Sequence, residues 1–434
     1  MKIAFYTLGC KTNQYETQAM ERLLVDMGHV IGSFDESCDA YVINTCSVTA
    51  VADKKNRAII RRCRRDNPNA VIGVCGCYSQ HDAEAVRNLG ADVIGGSGQR
   101  QQFVDMLLEA AATKQKQESV DAALRRREFE VLPAGGLEER TRAMLKVQDG
   151  CVNFCTYCII PYARGPVRSQ PLSEAVEQAK QLADMGYREL IVTGIEISSW
   201  GKEFKDGTSL IDLLEAVCAA APECRIRLGS LDPTVMTPDF VEKISGLTSL
   251  APHFHLSMQS GCSATLARMR RKYNRKQAEA AMERVRRAIP AVQFTTDMIV
   301  GFPGETPEEF AESREFAEQA GFLHIHVFPY SKREGTPAAV MKDQIPEAVK
   351  HERVGILSRI SEESCAHILD GVLADPDTPL TILPETRGRG FVMGHTPDFL
   401  EVKVLTDRPL SKTEVTVRPL RREGEILVCE LMTD

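Results

Sequence analysis

Short apolar runs alternate with helical stretches along most of this chain, and that alternation constrains its fold more than any other feature. In residues 1–112 the runs are Lys2–Leu8, Ala40–Thr45, Ala70–Val74 and Asp92–Ile94. Between the first two, Met20, Leu23, Leu24 and Met27 recur at helical spacing, and Gly28 closes the stretch. Strands alternating with helices imply an open parallel sheet with helices on both faces. The pattern resumes from Arg142, with strands expected at Ala143–Val147, Glu189–Thr193, Arg225–Leu228, His253–Met258, Gln293–Val300 and His324–Phe328. Thr306, Pro307 and Glu309 mark a capped helix start within it. Six such βα units predict three-quarters of a (β/α)8 barrel, that is, a partial (β/α)6 barrel.

The expected class is therefore α/β. Residues 1–112 form the open sheet, the charged stretch 113–141 is a linker, 142–345 form the partial barrel and 346–372 a connecting helix. In 373–434, alternation in FLEVKVLT, TEVTVRPL and EILVCELM predicts a small antiparallel β-barrel of the size that binds oligonucleotides.

The N-terminus reads as a buried strand and not as a signal peptide, and no run of apolar residues is long enough to span a membrane. The expected setting is cytoplasmic, with no membrane partner. In that compartment the 14 cysteines point to metal binding or catalysis in preference to disulfides. The net charge of −7 argues against a general nucleic-acid binder. Lys54 to Arg65 nevertheless holds seven basic residues and no acidic one. If it is helical, Lys54, Arg57, Arg61 and Arg65 share a face and are candidates for RNA phosphates; a solvated surface is the competing reading. Smaller basic clusters lie at Arg125–Arg127, Arg268–Lys272 and Arg286–Arg287.

Three cysteines occupy corresponding places in the first region: Cys10 ends TLGC, Cys46 ends INTC and Cys77 ends VCGC, each after a strand. Ligands of open parallel sheets gather beyond the carboxyl ends of the strands, so these thiols are expected to converge on a metal. Cys75 competes with Cys77, whereas Cys38 and Cys63 read as bystanders. A second group, Cys151, Cys155 and Cys158 in CVNFCTYC, directly follows the first barrel strand. That spacing can hold three corners of a [4Fe–4S] cluster. Structural zinc would want a fourth ligand close by, and an electron carrier would close its cluster with a fourth cysteine. An open iron instead suits the amino and carboxylate groups of S-adenosylmethionine, whose reductive cleavage yields a 5′-deoxyadenosyl radical.

These three cysteines match the radical S-adenosylmethionine signature. TLGCKTNQYET, INTCSVTA, VCGCYSQ, DGCVNFCTYCIIPYARGPVRS, PHFHLSMQSGC, RMRRKY, TTDMIVGFPGET and HVFPYSKREGTPAA make nearly all of residues 1–340 resemble the methylthiotransferase family. The likeness is strongest to the branch acting on threonylcarbamoyladenosine in tRNA. GFVMGHTPDFLEVKV resembles a TRAM barrel more loosely. The resemblance implies a second [4Fe–4S] cluster on Cys10, Cys46 and Cys77, and favours Cys77 over Cys75. It also implies that Tyr157 packs on adenine, that Gln259 and Asp297 face the barrel mouth, and that Glu196 lies where ribose or methionine is held. For the last three, a hydrogen-bonded structural role is the alternative. The implied reaction places a methylthio group on carbon 2 of the adenosine at position 37, beside the anticodon. The implied partners are a tRNA anticodon stem-loop and a reductant such as flavodoxin or ferredoxin, with the chain a monomer. Sister enzymes acting on isopentenyladenosine or on a ribosomal-protein aspartate, and a non-enzymatic iron–sulfur carrier, are the alternatives.

Overall fold

The computed structural model describes residues 1–137, 141–410 and 412–432; the linker positions 138–140 and the C-terminal positions 411, 433 and 434 lie outside the described residues. The chain opens with a six-stranded, wholly parallel sheet. Its spatial order is Val30–Gly32, Lys2–Thr7, Ala40–Thr45, Val71–Gly76, Val93–Gly95 and Gln117–Ser119. Ile3, Val42 and Val71 pack under Met20, Leu24 and Leu107 on one face. Tyr41, Ile43, Ile72 and Val74 pack with Ile60 on the other. The order reverses between Lys2–Thr7 and Ala40–Thr45, because the chain first steps outward to Val30–Gly32 and then crosses back. Such a reversal leaves a crevice at the carboxyl ends of those two strands.

Two edge strands carry no apolar run in the sequence. Val30–Gly32 and Gln117–Ser119 are three residues each, and the latter places a strand inside the charged stretch 113–141. An edge strand facing solvent needs little hydrophobic signal.

The central region has two three-stranded parallel sheets. One holds Arg142–Lys146, Glu189–Thr193 and Arg225–Leu228; the other holds His253–Gln259, Gln293–Val300 and His324–Pro329. Isolated parallel bridges, Ile226 to Leu250 and Leu231 to Leu256, join them. One continuous core runs beneath both and includes Trp200, the sole tryptophan, whose indole N–H donates to the Gln170 carbonyl at 3.1 Å. Thr306 caps the helix Pro307–Ala320 with Glu309 as its reciprocal partner.

After the long helix Glu347–Leu373, the C-terminal strands close on themselves in the order Leu380–Gly388, Phe391–His395, Glu401–Leu405, Ile426–Leu431 and Val415–Glu423. The expectation of a purely antiparallel barrel needs one correction. The last hairpin folds back so that Val415–Glu423 pairs with the first strand, which leaves Glu401–Leu405 parallel to Ile426–Leu431.

A buried ion network joins the first sheet to the central strands. Glu16 receives Arg100 at 2.6 Å, Lys146 at 2.9 Å and Arg164. Asp149 receives Lys146 at 2.9 Å and also faces Arg164 and Arg168. Burial alone would raise the Glu16 pKa, but Arg100, Arg164 and Lys146 reverse that and hold it well below the usual carboxylate value. The same balance, led by Lys146 and Arg164, depresses Asp149. Depressed folded-state values contribute stability above the unfolded carboxylate pKa of about 4, and that stability is lost as pH falls. Unfolding followed by Trp200 fluorescence should therefore show a midpoint that drops below about pH 4. Glu16→Gln should lower stability at pH 7 by about 3–5 kcal/mol, since it strands buried cations, and should flatten the acid limb. Parallel acid limbs in the two proteins would show that Glu16 does not carry the effect.

Candidate functional site

The three strand-end cysteines do converge. Cys10 follows Lys2–Thr7 and opens the helix Lys11–Asp26, Cys46 follows Ala40–Thr45, and Cys77 opens the short helix after Val71–Gly76. These strands are adjacent in the sheet, and Cys10 and Cys46 lie at its reversal point. Two glycines permit the approach. Gly9 has φ +113°, and a Cβ there would stand 2.8 Å from the Cys46 Cβ. Gly76 has φ +108°, and a side chain would collide with the Thr45 carbonyl. Both conformations are open to glycine at low cost. Asn13 ties the loop ends, donating to the Leu8 carbonyl at 2.8 Å and to the Thr45 carbonyl at 3.0 Å. Burial, with Cys77 and Cys10 nearby, pushes the Cys46 thiol up to about 12. Burial also raises Cys77, partly countered by Arg164. Cys75 instead points into the apolar core with Ile3 and Val42. Cys63 is likewise packed among aliphatic side chains, and the Cys38 thiol turns to the Ser33 carbonyl.

The second triad sits on a loop bent back on itself. Gly150 (φ +76°) and Gly165 (φ +81°) pass so close to neighbouring carbonyls that neither could carry a side chain, and Phe154 adopts φ +45°. Cys151 N–H donates to the Gly165 carbonyl at 3.0 Å, and Cys158 N–H to the Cys155 carbonyl at 2.9 Å. Thr156 anchors the loop to the Met269 carbonyl through its N–H and to the Arg268 carbonyl through its hydroxyl. Polar donors also meet the sulfurs: Asn153 N–H lies 3.4 Å from Cys151 Sγ, and Arg271 Nη1 lies 3.4 Å from Cys155 Sγ. Burial pushes the Cys151 thiol to about 11 and Cys158 to about 12, each sensing the other cysteines of the loop.

Members of both triads meet at one cavity of about 490 Å³, lined by Cys10 and Cys46 on one wall and by Cys158, Tyr157, Gln259 and Asp297 on the other, while Cys77, Cys151 and Cys155 stand behind its lining. Tyr157 also packs edge-on to Phe302. Gln259, at the end of its strand, has φ +63°, and Asp297 lies 3.2 Å from His255 Nε2. Glu196 stands apart from this lining. It neighbours Cys151, accepts from the Ser199 hydroxyl, and its Oε1 is buried with no hydrogen-bond partner among the described residues.

Among the described residues no three His, Cys, Asp or Glu side chains meet tightly enough for a single metal ion. The corners of an iron–sulfur cluster stand wider apart, and two groups of three soft thiol donors, each with a member at one cavity, fit that kind of group.

The basic stretch forms the helix Ala50–Asp66, with Lys54 and Arg61 exposed and Arg57 half-buried beside the Tyr78 hydroxyl. Arg65 is exposed but paired with Asp66 at 2.8 Å. Val48, Thr49 and Ala52, at the start of this helix, line the cavity. Arg333 fixes it there through Asp53 at 2.7 Å and Ser47 at 2.8 Å. The other basic clusters largely turn inward. Arg126 binds Asp121, Ser97 and Gln80; Arg268 binds Glu309; Arg271 binds Asp232 as well as the cysteine loop; and Arg286 donates to the Ala320 carbonyl. Counting Arg268–Lys272 as one more basic cluster therefore missed the contact that Arg271 makes with the cysteine loop, and no spacing rule announced it. Nor did the sequence flag Lys11, an exposed residue whose ammonium pKa is lowered by desolvation among neighbouring groups and by the Arg142 and Arg227 charges.

Residues 145–317 match the Radical SAM superfamily, and residues 2–96 match a family described as Uncharacterized protein family UPF0004. A Bacillus subtilis (strain 168) protein described as threonylcarbamoyladenosine tRNA methylthiotransferase MtaB is 39% identical, over 92% of this chain and 89% of the relative. An Aquifex aeolicus protein of the same description is 36% identical, over 84% and 88%. A Clostridium tetani protein described as tRNA-2-methylthio-N(6)-dimethylallyladenosine synthase is 34% identical, over 83% and 80%. Among solved structures, the radical S-adenosylmethionine methyltransferase TsrM from Kitasatospora setae, with cobalamin and a [4Fe-4S] cluster bound, superposes with a TM-score of 0.58. It covers 78% of this chain and 74% of that one at 14% identity, a likeness of fold alone.

The two neighbouring cysteines of VCGC offer a direct test. After anaerobic reconstitution, Cys77→Ala should lose about half of the bound iron, as expected for one of two cubanes. Cys75→Ala should keep all of it. Equal losses from the two variants would remove Cys77 from the ligand set.

Proposed function

This chain belongs to the radical S-adenosylmethionine tRNA methylthiotransferases, and from that premise we propose that it converts N6-threonylcarbamoyladenosine at position 37 of tRNA to its 2-methylthio derivative. The observation that carries the reading is the single cavity lined by members of both thiol triads, because it puts two reactive centres within reach of one base. Cys151, Cys155 and Cys158 would hold one [4Fe–4S] cluster with S-adenosylmethionine on its open corner, and Cys10, Cys46 and Cys77 the other. When bound, these groups supply a radical and a sulfur-bearing centre, which an unactivated carbon–hydrogen bond requires and side chains cannot provide.

The chain's own residues bind, orient and enclose. Arg271 donates to the Cys155 sulfur while Asp232 fixes its guanidinium at 2.9 Å, so charge-assisted hydrogen bonding steadies the loop. Tyr157 offers the cavity an aromatic face for adenine, and Gln259 and Asp297 offer polar groups for the cofactor or base. Glu196, with one oxygen unmatched beside Cys151, is suited to a ribose or methionine donor. A base reaching this depth must leave its stack, as single-stranded loop bases can. Lys54, Arg57, Arg61 and Arg65 lie on the helix that starts at the cavity rim and are assigned to the phosphates that follow the base. The two joined sheets are read as one split six-stranded barrel, and the C-terminal strands as a TRAM-like RNA-binding unit. Domain limits of 142–345 and 373–434 follow from that reading, while the N-terminal unit expected to end at 112 runs on to take in its last strand, Gln117–Ser119.

Reconstituted protein, incubated with reductant, S-adenosylmethionine and an anticodon stem-loop bearing threonylcarbamoyladenosine, should yield the methylthiolated nucleoside by mass spectrometry. Product from an isopentenyladenosine loop alone would transfer the chain to the sister activity. Absence of 5′-deoxyadenosine from the reduced enzyme would remove the radical reading altogether.

A further inference from the structure

A second cavity, of about 620 Å³, opens where the helix Lys11–Asp26, the central strands and the C-terminal barrel meet, and Lys11 in its wall directly follows Cys10 in the wall of the first. Its lining includes Lys11, Arg142, Arg227, Glu385 and Phe399. Three of the cations gathered here are neutralised within the protein. Arg142 pairs with Glu385, Arg225 with Glu189 at 3.4 Å and with Glu414, and Arg227 with Glu189 at 2.9 Å. Lys11 has no carboxylate within 4 Å among the described residues, although Arg142 and Arg227 both face it. Arg227 is 1% exposed and rigidly held, with Nε donating to Glu189 Oε1 at 3.0 Å and its guanidinium 4.7 Å from the Phe399 ring centroid. Its Nη1 has no hydrogen-bond partner among the described residues. A buried, ionised donor left unmatched is costly, so a site that presents one beside an unpaired ammonium is built for an anion.

The anion's identity follows from where Lys11 stands. It is the residue after Cys10, which lines the first cavity, and it also senses Asp297 on that cavity's opposite wall. A group seated with one edge against the thiol triads can therefore extend a substituent past Lys11 into the second cavity. Of the adenosine derivatives considered above, N6-threonylcarbamoyladenosine carries a carboxylate on that substituent, while the isopentenyl group is uncharged and apolar. The N6 substituent is carried on carbon 6, across N1 from carbon 2, so one group can reach the substituent while another reaches carbon 2.

We propose that Lys11, with the unmatched Nη1 of Arg227, receives the threonyl carboxylate and is the residue that selects this substrate. The assignment rests on the tRNA methylthiotransferase reading and adds to it a specificity contact. RNA phosphate shares the anionic chemistry, and the test separates the two sources.

Reconstituted full-length protein is titrated, by fluorescence anisotropy, with anticodon stem-loops carrying threonylcarbamoyladenosine, its threonyl methyl ester, or plain adenosine. The wild type should bind the acid roughly tenfold more tightly than the ester, the scale of one charge-assisted hydrogen bond. Lys11→Gln should bring acid and ester to the same affinity, and Lys11→Arg should restore the difference. Equal wild-type binding of acid and ester overturns the assignment without recourse to any variant. So does a Lys11→Gln protein that still separates them, or one that weakens all three loops by the same factor, which would mark a phosphate contact. Turnover keeps the two readings apart. Equal kcat/KM on acid and ester loops sinks the carboxylate site while the substrate assignment stands, whereas methylthiolation of an isopentenyladenosine loop alone sinks the assignment itself.

Discussion

The arrangement depends on a set of charges that water does not reach. Glu16 comes from the first helix and Asp149 from the approach to the cysteine loop, and between them Arg100, Lys146 and Arg164 are held at zero to a few percent exposure. Each partner alone would be a buried ion with a large desolvation cost, so the network persists only while both regions are docked. Docking is what sets one thiol triad opposite the other. Arg164 shows the economy of the arrangement, since it binds Glu16 and Asn13 and also faces Cys77 and Cys10. The network carries more positive than negative charge, which suits a place where thiolates are to be gathered.

At the far side of the cavity a smaller contact completes the enclosure. Ser331 receives the Ala50 N–H at 3.0 Å, and Arg333 grips Asp53 and Ser47. The basic helix therefore begins as part of the cavity wall and ends as exposed surface. That geometry joins the cavity to a basic surface through one rigid element.

Much of this was legible in the sequence because it is periodic or local. The strand-end cysteines were found from apolar runs alone, and the six central strands fall within a residue or two of their expected limits. Thr306 and Glu309 announced their helix through capping chemistry, which acts over one turn. What escaped notice is non-local. Val30–Gly32 and Gln117–Ser119 are strands only because a neighbour's edge was free. Arg271 counted only as part of a basic cluster because its partners, Asp232 and Cys155, are 39 and 116 residues away. The parallel closure of the C-terminal barrel is likewise a property of how hairpins return in space, to which alternation along a strand is blind. Glu196 was placed near the cofactor by likeness, and the structure sets it beside Cys151 but off the main cavity wall.

The two thiol triads differ in the length of chain each encloses. Cys151 to Cys158 span a single turn-rich loop, so three donors are close neighbours in any compact state of that segment. Cys10, Cys46 and Cys77 meet only after three parallel strands have registered through long crossovers, an assembly with high loop-closure entropy. On the ligand assignment proposed above, iron capture at the loop is a local event, while capture at the sheet reports that the N-terminal region has finished folding.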